Sequence, residues 1–240
     1  MGSLASLALE ALAAALAPPR CAACDARVRL LAVFCPSCAA TVTRESEGRG
    51  TGGPGGALVY GGAVARAIGR MKYESRPDLA GPLGDLVWRA VQPHAASLQG
   101  AAVVPVPLHP LRLAERGYNQ TALLAGRLAR RLGAPFEPRA LVRVRETRPQ
   151  MALDREARKT NVAGAFRARD AGRVRGRGIV LVDDVTTTGA TLDACEQALV
   201  VAGAGPIHRI VLAVAPQRVE EAPRDQRRFS RPGGIMRPSQ

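Results

Sequence analysis

The period of the apolar positions changes along this chain, and each change marks an element. Residues 4–17, "LASLALEALAAALA", place Leu4, Leu7, Leu12 and Leu16 at roughly helical spacing, which predicts a short helix docked on the rest of the chain and bounded by Pro18 and Pro19. Residues 43–56, "TRESEGRGTGGPGG", have no apolar period and read as a flexible linker or exposed loop. From Ala57 onward strand and helix periods alternate. "ALVY" opens as a short strand and passes into a helix running through Met71. "DLAGPLGDLVWRAVQ" is a second helical stretch, and "AAVVPVPLHP" is a buried strand ending in prolines. "NQTALLAGRLARRLG" predicts an amphipathic helix with Leu123, Leu124, Leu128 and Leu132 on one face, capped by Asn119 and stopped by Gly133. "GIVLVDD" is the next strand, "ATLDACEQALVVAGA" the helix after it and "IHRIVLAVA" the following strand. Strand, helix, strand in succession requires parallel pairing through right-handed crossovers, hence an open, mainly parallel α/β sheet flanked by helices.

These shifts set five segments: an N-terminal helix in 1–20, a cysteine-bearing module in 21–45, the linker in 46–56, one α/β domain in 57–217 and a tail in 218–240. The tail, "RVEEAPRDQRRFSRPGGIMRPSQ", is polar, proline-rich and basic, and is expected to be disordered. A chain of 240 residues is long enough for one full core and a small module beside it. The first apolar stretch lacks a basic start, carries Glu10 and is too short to span a bilayer, so the expectation is a cytoplasmic protein without membrane insertion.

Charge adds a partner class. The chain holds 34 Lys plus Arg against 20 Asp plus Glu, a formal net charge of +14, which favours phosphorylated metabolites, nucleic acid or an acidic protein surface. A general arginine-rich bias explains the same surplus, because Lys72 and Lys159 are the only lysines. Aromatic residues are only 3% of the chain, so stacking platforms are few.

Four of the five cysteines fall in two C-x-x-C pairs, Cys21 with Cys24 and Cys35 with Cys38, separated by ten residues; Cys195 stands alone. Two such pairs on tight turns bring four thiolates around one point, which suits tetrahedral zinc at about 2.3 Å per Zn–S bond. A zinc held by four sulfurs has no open position and is structural. A redox pair or ordinary reduced thiols are the alternatives.

The chemistry concentrates in "IVLVDDVTTTGAT", Ile179 to Thr191. Four apolar residues run into Asp183 and Asp184, expected at the strand's exit, where ligands bind in parallel sheets. Thr186, Thr187, Thr188, Gly189, Ala190 and Thr191 then lead into a helix whose first turn offers free N–H groups and a positive dipole end to a phosphate. Carboxylates beside a phosphate site call for a ligand with hydroxyls on one side and phosphate on the other, as in a ribose 5-phosphate. Upstream, Arg112, Arg116 and Gly117 in "LHPLRLAERGYNQ" precede another helix start and read as a second anion pocket, or else as solvated surface arginines. Residues 143–166 carry Arg143, Arg145, Arg148, Arg155, Arg158 and Lys159, which read as a charged hood over the crevice or as a plain exposed loop. His109 reads as a turn residue packed between prolines, Trp88 as core, and Tyr118 and Phe166 as the candidates for stacking an acceptor.

The thirteen residues 179–191 resemble the signature of type I phosphoribosyltransferases. With "VVPVPLHPLRLAERGYNQTALLAGRLA", "RETRPQMALDREARKTNVAGAF" and the leading cysteine pairs, nearly the whole chain is similar to the ComF family of competence and gluconate-utilisation proteins. The resemblance implies a type I phosphoribosyltransferase fold with a small zinc-ribbon-like N-terminal module. It also implies that Asp183 and Asp184 hold the ribose hydroxyls of phosphoribosyl pyrophosphate (PRPP) and that the 186–191 loop takes its 5-phosphate. Arg112, Arg116 and Gly117, with Arg148 and Arg158 of the hood, would take the pyrophosphate, assisted by magnesium. Transfer of a phosphoribosyl group to an unknown acceptor is one implied role. The other is a non-catalytic, PRPP-responsive protein that binds single-stranded DNA during DNA uptake, with a competence helicase as partner. One departure stands out: the family pattern follows Lys-Tyr with one residue and then glycine, a place taken here by Ser75.

Overall fold

A computed structural model describes residues 18–44, 55–145, 162 and 164–215. The expectations for the N-terminal helix, most of the linker, the middle of the hood and the tail fall outside the described residues.

The described elements are a short helix α1 (Pro36–Ala39), β1 (Gly55–Val59), α2 (Gly62–Tyr73), α3 (Ala80–Val91), β2 (Ala102–Pro105), α4 (Pro110–Arg116), α5 (Gln120–Leu132), β3 (Leu141–Arg143), β4 (Phe166–Ala168), β5 (Ile179–Thr186), α6 (Ala190–Val201) and β6 (Ile207–Val214). β1 begins at Gly55, so the last two residues of the expected linker are strand. Four strands form one sheet in the order β1-β6-β5-β2, and all three pairings are parallel. β3 and β4 make a separate antiparallel pair.

Alternation along β5 shows why the sheet is buried on both sides. Val180 and Val182 join Val103 and Leu212 in a core roofed by α2, α3 and α5; Ile179 and Leu181 join Ala102, Val104 and Val211 beneath α6 and the β3–β4 pair. Successive strand residues point to opposite faces, and a strand with helices on both faces must be apolar in both registers. "IVLV" meets that demand, and each fully buried Leu, Ile or Val in it contributes about 1.5–3 kcal/mol over leaving it exposed. The helices show the matching 3.6 period. Ala63, Val64, Ala67, Ile68 and Met71 are the buried stripe of α2, and Leu83, Gly84, Val87 and Val91 that of α3. α5 is capped by the Asn119 side chain, which accepts from the Thr121 N–H at 3.0 Å, and ends at Gly133 with φ +64°. Its buried face runs through Gln120, Thr121, Leu124, Ala125, Leu128 and Ala129, whereas Leu123 is 37% exposed. Leu123 lies one step of 100° off the stripe, so the helix seats two polar residues where an all-leucine face was expected.

The connections fix where the sheet opens. From β2 the chain passes through α5 to Phe136, which bridges Val103 in parallel on the outer side, and from β5 it passes through α6 to β6 on the other side. The chain therefore diverges between β2 and β5, the place where open parallel sheets leave a crevice beyond their carboxyl ends.

Candidate functional site

The acid pair sits at that divergence, but inside the strand. β2 pairs with β5 only as far as Pro105 opposite Val182, while β5 continues along β6 through Asp183, Val185 and Thr186. The strand, expected to end with the acids, runs on to Thr186, so both acids lie within β5, at 8% and 4% exposure. β5 extends past β2, so the pair has one covered flank and one open one. Asp184 continues the Val180–Val182 register toward α2 and α5. There its carboxylate accepts from Lys72 Nζ at 2.9 Å and from Gln120 Nε2 at 2.6 Å. Asp183 accepts the Asp184 backbone N–H at 2.8 Å.

The two acids differ electrostatically because their partners differ. Burial, then the neighbouring Asp184 charge, pushes Asp183 up to about 7, against the opposing pull of the Asp184 N–H, the Lys72 charge and the Thr121 hydroxyl. Burial works against the Lys72 ammonium, but the Asp184 carboxylate outweighs it, and the lysine ends above its ordinary pKa. One acid of the pair is thus held in place by a lysine and an amide. The other is poised to hold or release a proton near neutrality, the mark of a functional carboxylate pair.

Beyond the acids, Thr186 is buried, and Thr187, Thr188 and Gly189 lead to α6, with Ala190 at its first position and Thr191 next. Gly189 takes φ +84°, a left-handed conformation that glycine adopts without strain, and this turns the loop into the helix. The Thr188 hydroxyl lies 3.5 Å from the Ala190 N–H.

The predicted pyrophosphate residues that are described lie on one helix, α4, and at its end. Arg112 is exposed and ion-paired to Glu115 at 2.9 Å along α4. Arg116 hydrogen-bonds the Gln120 side-chain carbonyl and so reaches the acid pair at one remove; Gly117 ends α4 at φ +79°. Arg148 and Arg158 lie outside the described residues. The stacking candidates are turned inward. The Tyr118 hydroxyl donates to the Met71 carbonyl, and Phe166 is buried with the Arg143 guanidinium 5.5 Å from its ring centroid. Trp88 packs on the core, and His109 precedes α4 half-buried between Leu108 and Pro110. Sequence reasoning assigned no role to Lys72 or Gln120. Two signals were present: one of only two lysines in an arginine-rich chain, one helical turn past Ile68, and a polar residue at the start of an amphipathic helix's buried stripe.

The four paired cysteines converge. Their sulfurs all lie within 4.8 Å of one another, with Cys24 and Cys35 at 3.7 Å. A regular tetrahedron of 2.3 Å Zn–S bonds has S···S edges of about 3.8 Å, so the donor set is compatible with a structural zinc. This cluster is fastened to α2. Arg70 donates to the Ala22 carbonyl at 3.2 Å and pairs with Asp25, which also pairs with Arg76 at 3.0 Å. Those two guanidiniums hold the Asp25 carboxyl below the usual carboxylate range. The Ala63 N–H donates to Thr41 Oγ1 at 3.0 Å, and Arg66 reaches Cys38 Sγ at 3.7 Å. One helix therefore rests on the cysteine cluster along its side and delivers Lys72 to the acid pair at its end.

Known proteins resemble this chain over most of its length. Residues 120–230 match the phosphoribosyl transferase domain family. The DNA utilization protein YhgH of Escherichia coli K12 is 32% identical over 199 residues, which cover 78% of this chain and 86% of that protein. Competence protein F of Haemophilus influenzae is 35% identical over 136 residues, covering 55% of this chain and 59% of that protein. Among solved structures, the allosteric regulatory enzyme of purine biosynthesis is similar at 23% identity and TM-score 0.41, over 60% of this chain and 29% of that one. No described helix is long and apolar enough to cross a membrane.

Proposed function

The chain belongs to the ComF family of phosphoribosyltransferase-domain proteins, and from that premise we propose that it binds PRPP with magnesium where β2 and β5 diverge. The observation that carries this reading is the unequal acid pair: Asp184 held by Lys72 and Gln120, Asp183 with its pKa near 7, both leading into the threonine loop. Ribose hydroxyls are donors, and the two carboxylates offer acceptors. A phosphate is an acceptor, and the loop offers hydroxyls with the first N–H groups of α6. With one lysine for two carboxylates, the pair is also a hard-oxygen set suited to magnesium, which when bound neutralises charge on the pyrophosphate.

The chemistry that follows is displacement at the anomeric carbon. A nucleophile forms a bond to that carbon while the bond to the pyrophosphate oxygen breaks, and the electron pair departs with pyrophosphate. Positive charge develops on the ribose, and the carboxylates fixed beneath it stabilise that charge without having to reorganise. Lys72 and Gln120 act by holding Asp184 in place. Arg116, bonded to Gln120, is the arginine we assign to the departing group.

A second reading is favoured by the relatives' names, DNA utilization protein and Competence protein F. In it the same pocket senses PRPP without turnover, while the chain's net charge of +14 serves single-stranded DNA and a helicase partner. Release of pyrophosphate from PRPP in the presence of candidate acceptors separates the two: turnover supports transfer, and saturable binding without turnover supports the sensor.

A further inference from the structure

An acceptor or a strand bound beside PRPP brings a base, and the aromatic residues first considered for stacking it are unsuited, because Tyr118 and Phe166 are packed inward. Tyr73 is different. It follows Lys72 at the end of α2 and is 76% exposed, the most exposed of the aromatic residues among the described large hydrophobics. The Arg116 guanidinium lies 5.6 Å from its ring centroid, and Arg116 is itself bonded to Gln120, which bonds Asp184. The ring is thus held at the rim of the crevice through a chain of three side chains that ends on the acid pair. Beside it, α4 buries none of its residues and exposes Leu111 and Leu113. Solvation alone gives no reason to fix an aromatic ring and a planar cation against each other at this place.

We propose that Tyr73 and Arg116 form a stacking platform for a nucleobase next to the phosphoribosyl pocket. This rests on the proposed PRPP reading and specifies what lies beside the sugar. A planar base gains dispersion on the phenol face and attraction from the guanidinium plane, contacts that tolerate any base because each has a π face. The base can belong to a free nucleotide or to a single strand.

The test measures affinities of the full chain for ribose 5-phosphate and for the adenosine, guanosine, cytidine and uridine 5′-monophosphates, which add only a base to the same sugar phosphate. A second arm compares an oligodeoxynucleotide with an abasic strand of equal length. Loss of one stacking contact corresponds to about tenfold in affinity. At least one of the two ratios, nucleotide over ribose 5-phosphate or strand over abasic strand, is expected to fall about tenfold in Tyr73→Ser and to recover in Tyr73→Phe. A change confined to the first ratio assigns the base to a free nucleotide, and one confined to the second assigns it to a strand. If ribose 5-phosphate binds and neither ratio moves in Tyr73→Ser, the platform is refuted while the pocket stands. If neither ribose 5-phosphate nor any nucleotide binds and the strand ratio is also indifferent to Tyr73, both ideas fail.

Discussion

Replacing Asp183 by asparagine should stabilise the ligand-free protein at neutral pH while Asp184→Asn destabilises it. Asp183 has a pKa near 7 in the fold, against about 3.9 in an unfolded chain. Three units at 1.36 kcal/mol each set a ceiling of about 4 kcal/mol on the cost of ionising it in place. The sign follows from proton binding. Between roughly pH 4 and 7 the folded state binds the proton and the unfolded chain does not, so this group lowers stability as pH rises through that window and adds no further change above it. Asparagine keeps the acceptor for the Asp184 N–H but introduces an amide group that must be satisfied, so the net gain expected is about 1–2 kcal/mol. Asp184→Asn instead strips the counter-ion from Lys72, whose side chain is 21% exposed against 5% for Asp184, and breaking a buried pair costs about 3–5 kcal/mol. Urea unfolding of the three proteins from pH 4 to 8.5 reads this directly. The Asp183→Asn advantage should be absent near pH 4, grow to about pH 7 and then level off. An offset independent of pH, or an Asp183→Asn protein less stable than the parent at pH 8, would refute the assignment of the raised pKa.

Three further outcomes follow from other parts of the molecule. Metal analysis of the purified protein should find about one zinc per chain, and Cys35→Ser should release it and loosen α2, seen as faster amide exchange at Arg66 and Arg70; a metal-free protein with protected α2 amides would contradict this. Ser75 takes φ +52°, so Ser75→Gly should raise stability by about 1 kcal/mol in thermal or urea unfolding, and a loss would show that the Ser75 side chain matters more than its backbone. If single-stranded DNA binds, log affinity should fall linearly with log salt. Asp85 already holds Arg127 and Arg131 at 2.8 and 2.9 Å, so neutralising Arg127, Arg130 and Arg131 together should flatten the slope by only about 0.7, one phosphate contact, rather than about two; deletion after Pro216 should leave most of the binding, and its loss would place DNA on the tail.

The parallel sheet, the helix stripes and the cysteine cluster were legible because each is written in local periodicity or spacing. "IVLV" needs cover on both faces wherever it stands, and two C-x-x-C pairs bring four sulfurs close once their turns fold. The full extent of β5 was not legible, because its last two residues, Val185 and Thr186, are strand by virtue of pairing with β6, a partner more than twenty residues on. Lys72 and Gln120 were missed for the same reason. Their role depends on α2 and α5 converging on Asp184 across 112 and 64 residues of chain, which no window of sequence contains. Arg112 shows the converse. Its position near a helix start suggested an anion pocket, and that reading did not foresee its surface ion pair with Glu115, one turn along α4. Ser75 was visible as a departure from the family pattern, and its left-handed φ shows why glycine belongs in that place.

The central claim is that the crevice between β2 and β5 holds PRPP through its acid pair. Calorimetric titration of magnesium PRPP into the full chain and into Asp183→Asn tests it most directly. The account predicts one PRPP per chain for the parent and loss of that binding in a variant that unfolds as cooperatively as the parent. An unchanged affinity in folded Asp183→Asn would contradict it.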